Sequence, residues 1–179
     1  MDSPEFSHVL SVARLTTTPR WHRLVADESE RAALARRFDL LSIERLEADL
    51  EVWRTASGAH AVGPMVARVV QRCVVSGEPV PARVETKLEL RFEPEGEQAV
   101  EMDPAAEMTD ILPLENDAID LGEAVAQSLA LALDPWPRAG AAALAAARRH
   151  LMTEEEAATA HAALKAAASP FSALKTRKP

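Results

Sequence analysis

The chain has 179 residues, 47% of them hydrophobic but only 4% aromatic, which suits one domain with a modest aliphatic core. The formal net charge is −8, yet eleven acidic residues and no Lys or Arg lie between Glu93 and Glu123, and the rest of the chain carries a net +3. This distribution argues against sequence-blind coating of nucleic acid and leaves room for a local basic face, while the lack of any run of about 18 apolar residues argues against a transmembrane helix.

The first residues mix Asp2, Glu5, His8 and Arg14 with apolar ones, unlike a signal peptide. Phe6 to Leu15 reads as a strand of imperfect alternation, broken by Thr16 to Arg20. Asp27 to Phe38 reads as a helix. Asp27 can cap its first turn, Glu30 completes a capping box, and Leu34 and Phe38 share one face. Its arginines, Arg31, Arg36 and Arg37, read as a solvated face.

Ser42 to Arg54 fits a helix or a strand. Leu46, Ala48, Leu50 and Val52 alternate with polar residues, which favours the strand, and Ser57-Gly58 supplies a hairpin turn. Ala59 to Val75 is rich in β-branched residues and reads as a buried strand, followed by a turn at Ser76 to Pro79. Ala82 to Phe92 has the cleanest pattern. Ala82, Val84, Thr86, Leu88, Leu90 and Phe92 face a core, and Arg83, Glu85, Lys87, Glu89 and Arg91 face water.

Glu93 to Asp117 has prolines and no sustained period and reads as an acidic loop in which Ile111 to Leu114 can touch the body. Asp120 to Leu133 reads as a helix that buries Leu121, Val125, Leu129 and Ala132, with Leu131 and Leu133 widening the stripe; Asp134-Pro135-Trp136-Pro137 stops it. Beyond Arg138 the chain is alanine-rich. Thr153 and Glu156 repeat the capping pattern, but little there can be buried, and a loosely attached arm is expected.

The residues offer little for catalysis. The five histidines are scattered, and Cys73 is the only cysteine, so no zinc framework or internal disulfide is expected and a reducing compartment is the natural setting. No GxSxG, Walker A or dinucleotide-binding glycine pattern occurs, and six glycines are too few for a phosphate cradle. Binding surfaces remain. Arg68 and Arg72 on one strand and Arg83, Lys87 and Arg91 on the next would form a basic patch if the strands pair. Cross-strand pairing with Glu85 and Glu89 is the simpler account of the same charges. Glu101, Asp103, Glu107 and Asp110 represent the acidic belt, and Trp136 and Arg138 follow the second helix.

Three stretches in order, QRCVVSGEPVPARVETKLELRFEP, IDLGEAVAQSLALALDPWPR and SPFSALK, resemble the YceD family, the large ribosomal RNA subunit accumulation proteins of bacteria and plastids, in a form that looks alphaproteobacterial. The resemblance covers Phe6 to Arg138 and the terminal SPFSALK. It implies a bacterial cytoplasmic protein needed for accumulation of large-subunit ribosomal RNA, often encoded beside a small large-subunit ribosomal protein, with no established enzymatic activity or cofactor. Cys73, Glu78, Pro79, Asp120, Leu129, Pro135 and Pro137 match the family pattern. Gln127 stands where members often carry a glutamate, and the second cysteine of some relatives is missing, which removes a metal-site reading here.

The expected fold is α+β. A YceD-like domain over 1–138 has an antiparallel sheet of about five strands, one or two packed helices and an acidic loop at 93–119. An Ala-rich arm, helical or disordered, covers 139–179. The expected function is a non-enzymatic ribosome-biogenesis factor without a cofactor. Its partners would be large-subunit ribosomal RNA and/or a small basic ribosomal protein, with no membrane and no small-molecule substrate. A protein–protein adaptor unrelated to ribosomes is the competing class.

Overall fold

The computed structural model describes residues 4–94, 110–114, 117–148 and 153–167. In chain order they form β1 (Val9–Ser11), a 3-10 turn (Val12–Arg14), β2 (Arg20–Val25), α1 (Glu28–Arg37), β3 (Ser42–Arg54) and β4 (Ala59–Arg72). There follow β5 (Pro79–Pro94), β6 (Asp110–Leu114), β7 (Ala118–Asp120), α2 (Leu121–Ala132), α3 (Ala141–Arg148) and α4 (Glu154–Ala167).

The long strands β3, β4 and β5 form because their alternation lets one face be buried. Leu46, Ala48, Leu50 and Val52 of β3 and Ala61, Met65, Ala67 and Val69 of β4 are buried, as are Leu88, Leu90 and Phe92 of β5. The inward face of β5 is only half-buried from Ala82 to Thr86, so the expected face is right but the core covers its C-terminal half. Thr55 and Gly58 close the β3–β4 hairpin with a 2.9 Å backbone bond.

The five-stranded sheet has the order β2-β3-β4-β5-β6. The number of strands is as expected, but the sheet is mixed, because β6 runs parallel to β5 with Phe92 opposite Leu112. Chain length explains the departure. Fifteen residues separate Pro94 from Asp110, enough for the crossover that a parallel pair needs and a tight hairpin cannot provide. The expected loop at 93–119 is corrected accordingly. Glu93 and Pro94 end β5, 110–114 is a strand, and β7 pairs antiparallel with β1 in a second, two-stranded sheet.

Two other expectations change. The first strand shrinks to Val9–Ser11, and β2 (Arg20–Val25) begins at the end of the break expected over Thr16 to Arg20, in a stretch where no element is expected. β2 is an edge strand that buries only Leu24, so it has no alternation to read.

Both predicted helices cover the inner face. α1 carries its capping box in full: the Asp27 carboxylate accepts from the Glu30 amide, and the Glu30 carboxylate accepts from the Asp27 amide. α2 buries Leu121, Val125 and Leu129, but Ala132 is exposed and Leu131 is 81% exposed, so the stripe is narrower than expected. Only one side of a helix lying on a sheet can reach it. Of the side chains described in α4, Ala160 alone is partly covered. An alanine-rich helix has little apolar surface to bury against a body.

Arg37 ties the two helices together. Its guanidinium donates to Glu123 of α2 at 2.7 and 2.8 Å and to Glu5 at 2.9 Å, and Gln127 donates to Glu123 at 2.9 Å. Arg37 therefore holds the Glu123 carboxyl below its ordinary value, against the opposing effect of burial. A depressed carboxylate stabilises the fold fully above its unfolded value, and that contribution is lost as pH falls through the folded value. Arg37→Ala is expected to cost about 1–2 kcal/mol at neutral pH, the partial exposure of the pair keeping the loss modest. In urea titrations, the gap from wild type should close as pH drops below 4.5, the ordinary glutamate value. A gap that persists in acid would mean that Arg37 acts by packing alone.

Candidate nucleic-acid interface

The outer face of the sheet carries its charges in rows set by strand register. Arg45 of β3 lies opposite Arg68 of β4, which lies opposite Arg83 of β5. All three are exposed. Neighbouring strands run about 4.8 Å apart, so three cations occupy roughly 10 Å. Such a row repels itself unless neighbours neutralise it. The next row does so in part. Arg45 donates to Glu47 at 2.7 Å and Arg83 is bonded to Glu85, while no carboxylate among the described residues lies within 4 Å of Arg68. Arg45 in turn holds the Glu47 carboxyl below its ordinary value.

The sequence patch is thereby divided. Arg68 and Arg83 sit face to face. Lys87 lies opposite Pro64 and Arg91 opposite His60, farther along the sheet and beyond the Glu47/Glu85 row. The cross-strand pairing expected with Glu85 and Glu89 is not what forms: Arg83 is bonded to Glu85 of its own strand, and Arg68 is not paired with either carboxylate. Arg45 was missed, because cross-strand register cannot be read from one strand at a time.

Arg72 ends β4 opposite Pro79, where the β4–β5 hairpin turns. Gly77 takes φ +73 there, a conformation that favours glycine, and its amide donates to the Cys73 carbonyl at 2.9 Å. The segment after α2 is strapped to this hairpin. Gln71 Nε2 donates to the Asp134 carbonyl and the Val74 amide to the Pro137 carbonyl, both at 2.9 Å, and the Ala139 amide donates to Cys73 Sγ at 3.3 Å. The strap brings Trp136, 70% exposed, and Arg138, also exposed, to the same end of the sheet as Arg72. Arg68, Arg72, Arg83, Trp136 and Arg138 thus lie toward the hairpin end of the sheet, the three arginines on its outer face and the strap bonded to the inward-facing Gln71.

Cys73 is buried beneath the strap, and it is the anchor of this geometry. Hydrogen bonds from the Ser76 side chain and the Ala139 amide, against the cost of burial, push its thiol down from 9.0 to about 6. A thiol depressed on folding stabilises the native state fully above pH 9, and the contribution is lost as pH falls through 6. The urea midpoint of wild type should therefore gain on that of Cys73→Ala between pH 6 and pH 9. A constant difference across that window would rule out a thiolate at the strap.

The acidic belt is seen only in part. Glu101, Asp103 and Glu107 lie outside the described residues, as does the basic end at Lys175, Arg177 and Lys178, and Asp110 is described only as the first residue of β6. Two belt carboxylates at the start of α2 have structural work. Asp120 accepts from the His8, Gly122 and Glu123 amides and from Ser7 Oγ, and Glu123 holds Arg37. They border an apolar groove of about 380 Å³ lined by Phe92, Leu112 and Ile119.

His60, one of the five scattered histidines, is half-buried. Its ring packs edge-on against Trp53 at 4.6 Å, and its Nε2 is buried without a hydrogen-bond partner, 3.7 Å from Glu89 Oε1. Burial pushes its pKa down. Among the described residues, no three His, Cys, Asp or Glu side chains converge as a metal cage, and no helix is long and apolar enough to cross a membrane.

Comparison with known proteins gives one match. The family model described as Large ribosomal RNA subunit accumulation protein YceD matches residues 62–176, a stretch that includes β5, α2, the strap and most of β4. No curated protein and no solved structure matches the chain.

Proposed function

The chain belongs to the YceD family of large ribosomal RNA subunit accumulation proteins, and we propose that it serves large-subunit ribosomal RNA by binding it and not by catalysis. The observation that carries this reading is the register of Arg45, Arg68 and Arg83 across three adjacent strands of an open sheet face. Guanidinium groups pair with phosphate through paired, charge-assisted hydrogen bonds, and a row about 10 Å long matches roughly two steps of an extended RNA backbone. Arg72 and Arg138 extend the positive end, and the exposed Trp136 offers a surface on which a base can stack. The acidic rows beyond confine RNA to this end of the sheet.

The belt supports a second partner of opposite charge. Eleven acidic residues without a Lys or Arg repel RNA and suit a lysine-rich protein, such as a small basic protein of the large subunit. Both contacts belong to the same cytoplasmic role, holding ribosomal components during assembly.

Depleting the protein in its native host should lower mature large-subunit ribosomal RNA relative to small-subunit RNA. An unchanged ratio with depletion verified would shift the reading to an adaptor unrelated to ribosomes.

A further inference from the structure

The arginine row has a depth that strand register alone does not reveal. β3 carries a bulge between Ile43 and Arg45, where the pairing with β4 shifts by one residue. An extra residue in one strand bends it and redirects the side chains beside it. At this bend a concavity of about 390 Å³ opens, lined by Arg31, Arg45 and Arg68 together with Ala26, Glu44 and Glu47. Three elements, α1, β3 and β4, thus aim one guanidinium each at a single space.

Two of the three are already positioned. Arg31 donates to the Ala26 carbonyl at 2.6 Å, and Arg45 is held by Glu47 at 2.7 Å. Glu47 is shared further with Arg23 at 3.4 Å, so its charge is spent on cations that surround it. Glu44 is the exposed bulge residue. Arg68 has its charge unmatched within 4 Å among the described residues. The site thus holds arginines pre-oriented by local bonds, and one cation lacks an anion.

We infer that this bulge pocket seats a phosphate group, with Arg68 as its principal ligand and Arg31 and Arg45 flanking it. The inference rests on the proposed RNA contact and deepens it. The ligand chemistry is a phosphate oxygen set, and it could come from an RNA backbone phosphodiester or from a terminal or free phosphate. Arg–phosphate pairing is directional and bidentate, so lysine at position 68 is a poor replacement even though it keeps the charge.

The test uses the full chain and two probes. Inorganic phosphate is titrated while the arginine Nε–H resonances are followed by NMR, and labelled single-stranded 12-mer RNAs with a 5′-phosphate or a 5′-hydroxyl are titrated by fluorescence anisotropy. The seat predicts saturable shifts confined to Arg31, Arg45 and Arg68. Arg68→Gln should weaken RNA binding about tenfold, and Arg68→Lys should recover only part of it. Equal binding of the two RNAs assigns the seat to a backbone phosphodiester, and preference for the 5′-phosphate assigns it to a terminal one. Shifts with inorganic phosphate but no RNA binding would uphold the seat and end the RNA reading. RNA binding that falls with Arg72→Gln and Arg83→Gln but is untouched by Arg68→Gln and Arg31→Gln, without phosphate shifts, would overturn the seat and leave the RNA reading standing. Arg68 is exposed, so thermal melts of its variants should overlay wild type and exclude misfolding as the cause.

Discussion

Gly63→Ala is expected to destabilise the fold by about 3 kcal/mol and to lower its melting temperature by roughly 6–12 °C. A Cβ at position 63 would lie 2.0 Å from the Asp49 carbonyl oxygen and 3.0 Å from the Leu50 Cα, both of them backbone. No rotamer change relieves that clash, so β3 and β4 must separate in mid-sheet. The neighbouring residue explains why the strands come so close. Pro64 has no amide to donate, and the β3–β4 pairing runs from Ala48–Met65 to Glu51–Val62 without assigned partners between. A central strand tolerates this proline because Gly63 lets the backbones approach where the ladder is interrupted. Two other glycines calibrate the result. Gly140→Ala meets nothing within 4 Å and should be neutral, while Gly77→Ala meets nothing either but must hold φ +73 and should cost about 1 kcal/mol. Differential scanning calorimetry of the three variants checks the order. A Gly63→Ala melt that overlays wild type would show that the strands can part freely.

Charge reversal of the arginine row should have the largest functional effect. Arg68→Glu combined with Arg83→Glu places two carboxylates opposite each other and beside Glu47 and Glu85, making that end of the sheet acidic. Affinity for single-stranded RNA should fall by about 100-fold or more at low salt, because two charge-assisted pairings become repulsions. Its salt dependence should also flatten, by about 0.7 in the log–log slope for each phosphate that is no longer neutralised. Both residues are exposed, so circular dichroism should show an intact fold. Anisotropy titrations from about 50 to 200 mM salt test both statements. If affinity and slope are unchanged, RNA does not bind through this face. Reversing Lys87 and Arg91 instead should have little effect, since they sit beyond the acidic row.

The candidate site was legible in the sequence only by halves. Residues such as Arg68 and Arg83 announce an exposed, cationic strand face by their alternation with apolar neighbours. Their pairing, the addition of Arg45 and the separation of Lys87 and Arg91 from the patch all depend on register. Trp136 and Arg138 stand more than sixty residues from Arg72 in the chain, and their approach rests on three hydrogen bonds from Gln71, Val74 and Ala139. Local pattern carries no information about such bonds.

By itself, the sequence determined whatever a local period or a local cap can specify: the long strands β3 to β5, the capping box of α1, the stop of α2 at Asp134-Pro135, and the segments that place the chain in its family. These follow from side chains within a few residues of one another, where burial of one face or one capping bond decides the outcome. Tertiary structure alone decided the parallel placement of β6, the edge strand β2, the Arg37–Glu123 tie and the bulge that gathers Arg31, Arg45 and Arg68. Each of these joins residues distant in sequence. Its energy depends on register, closure and charge proximity, which exist only once the chain has folded.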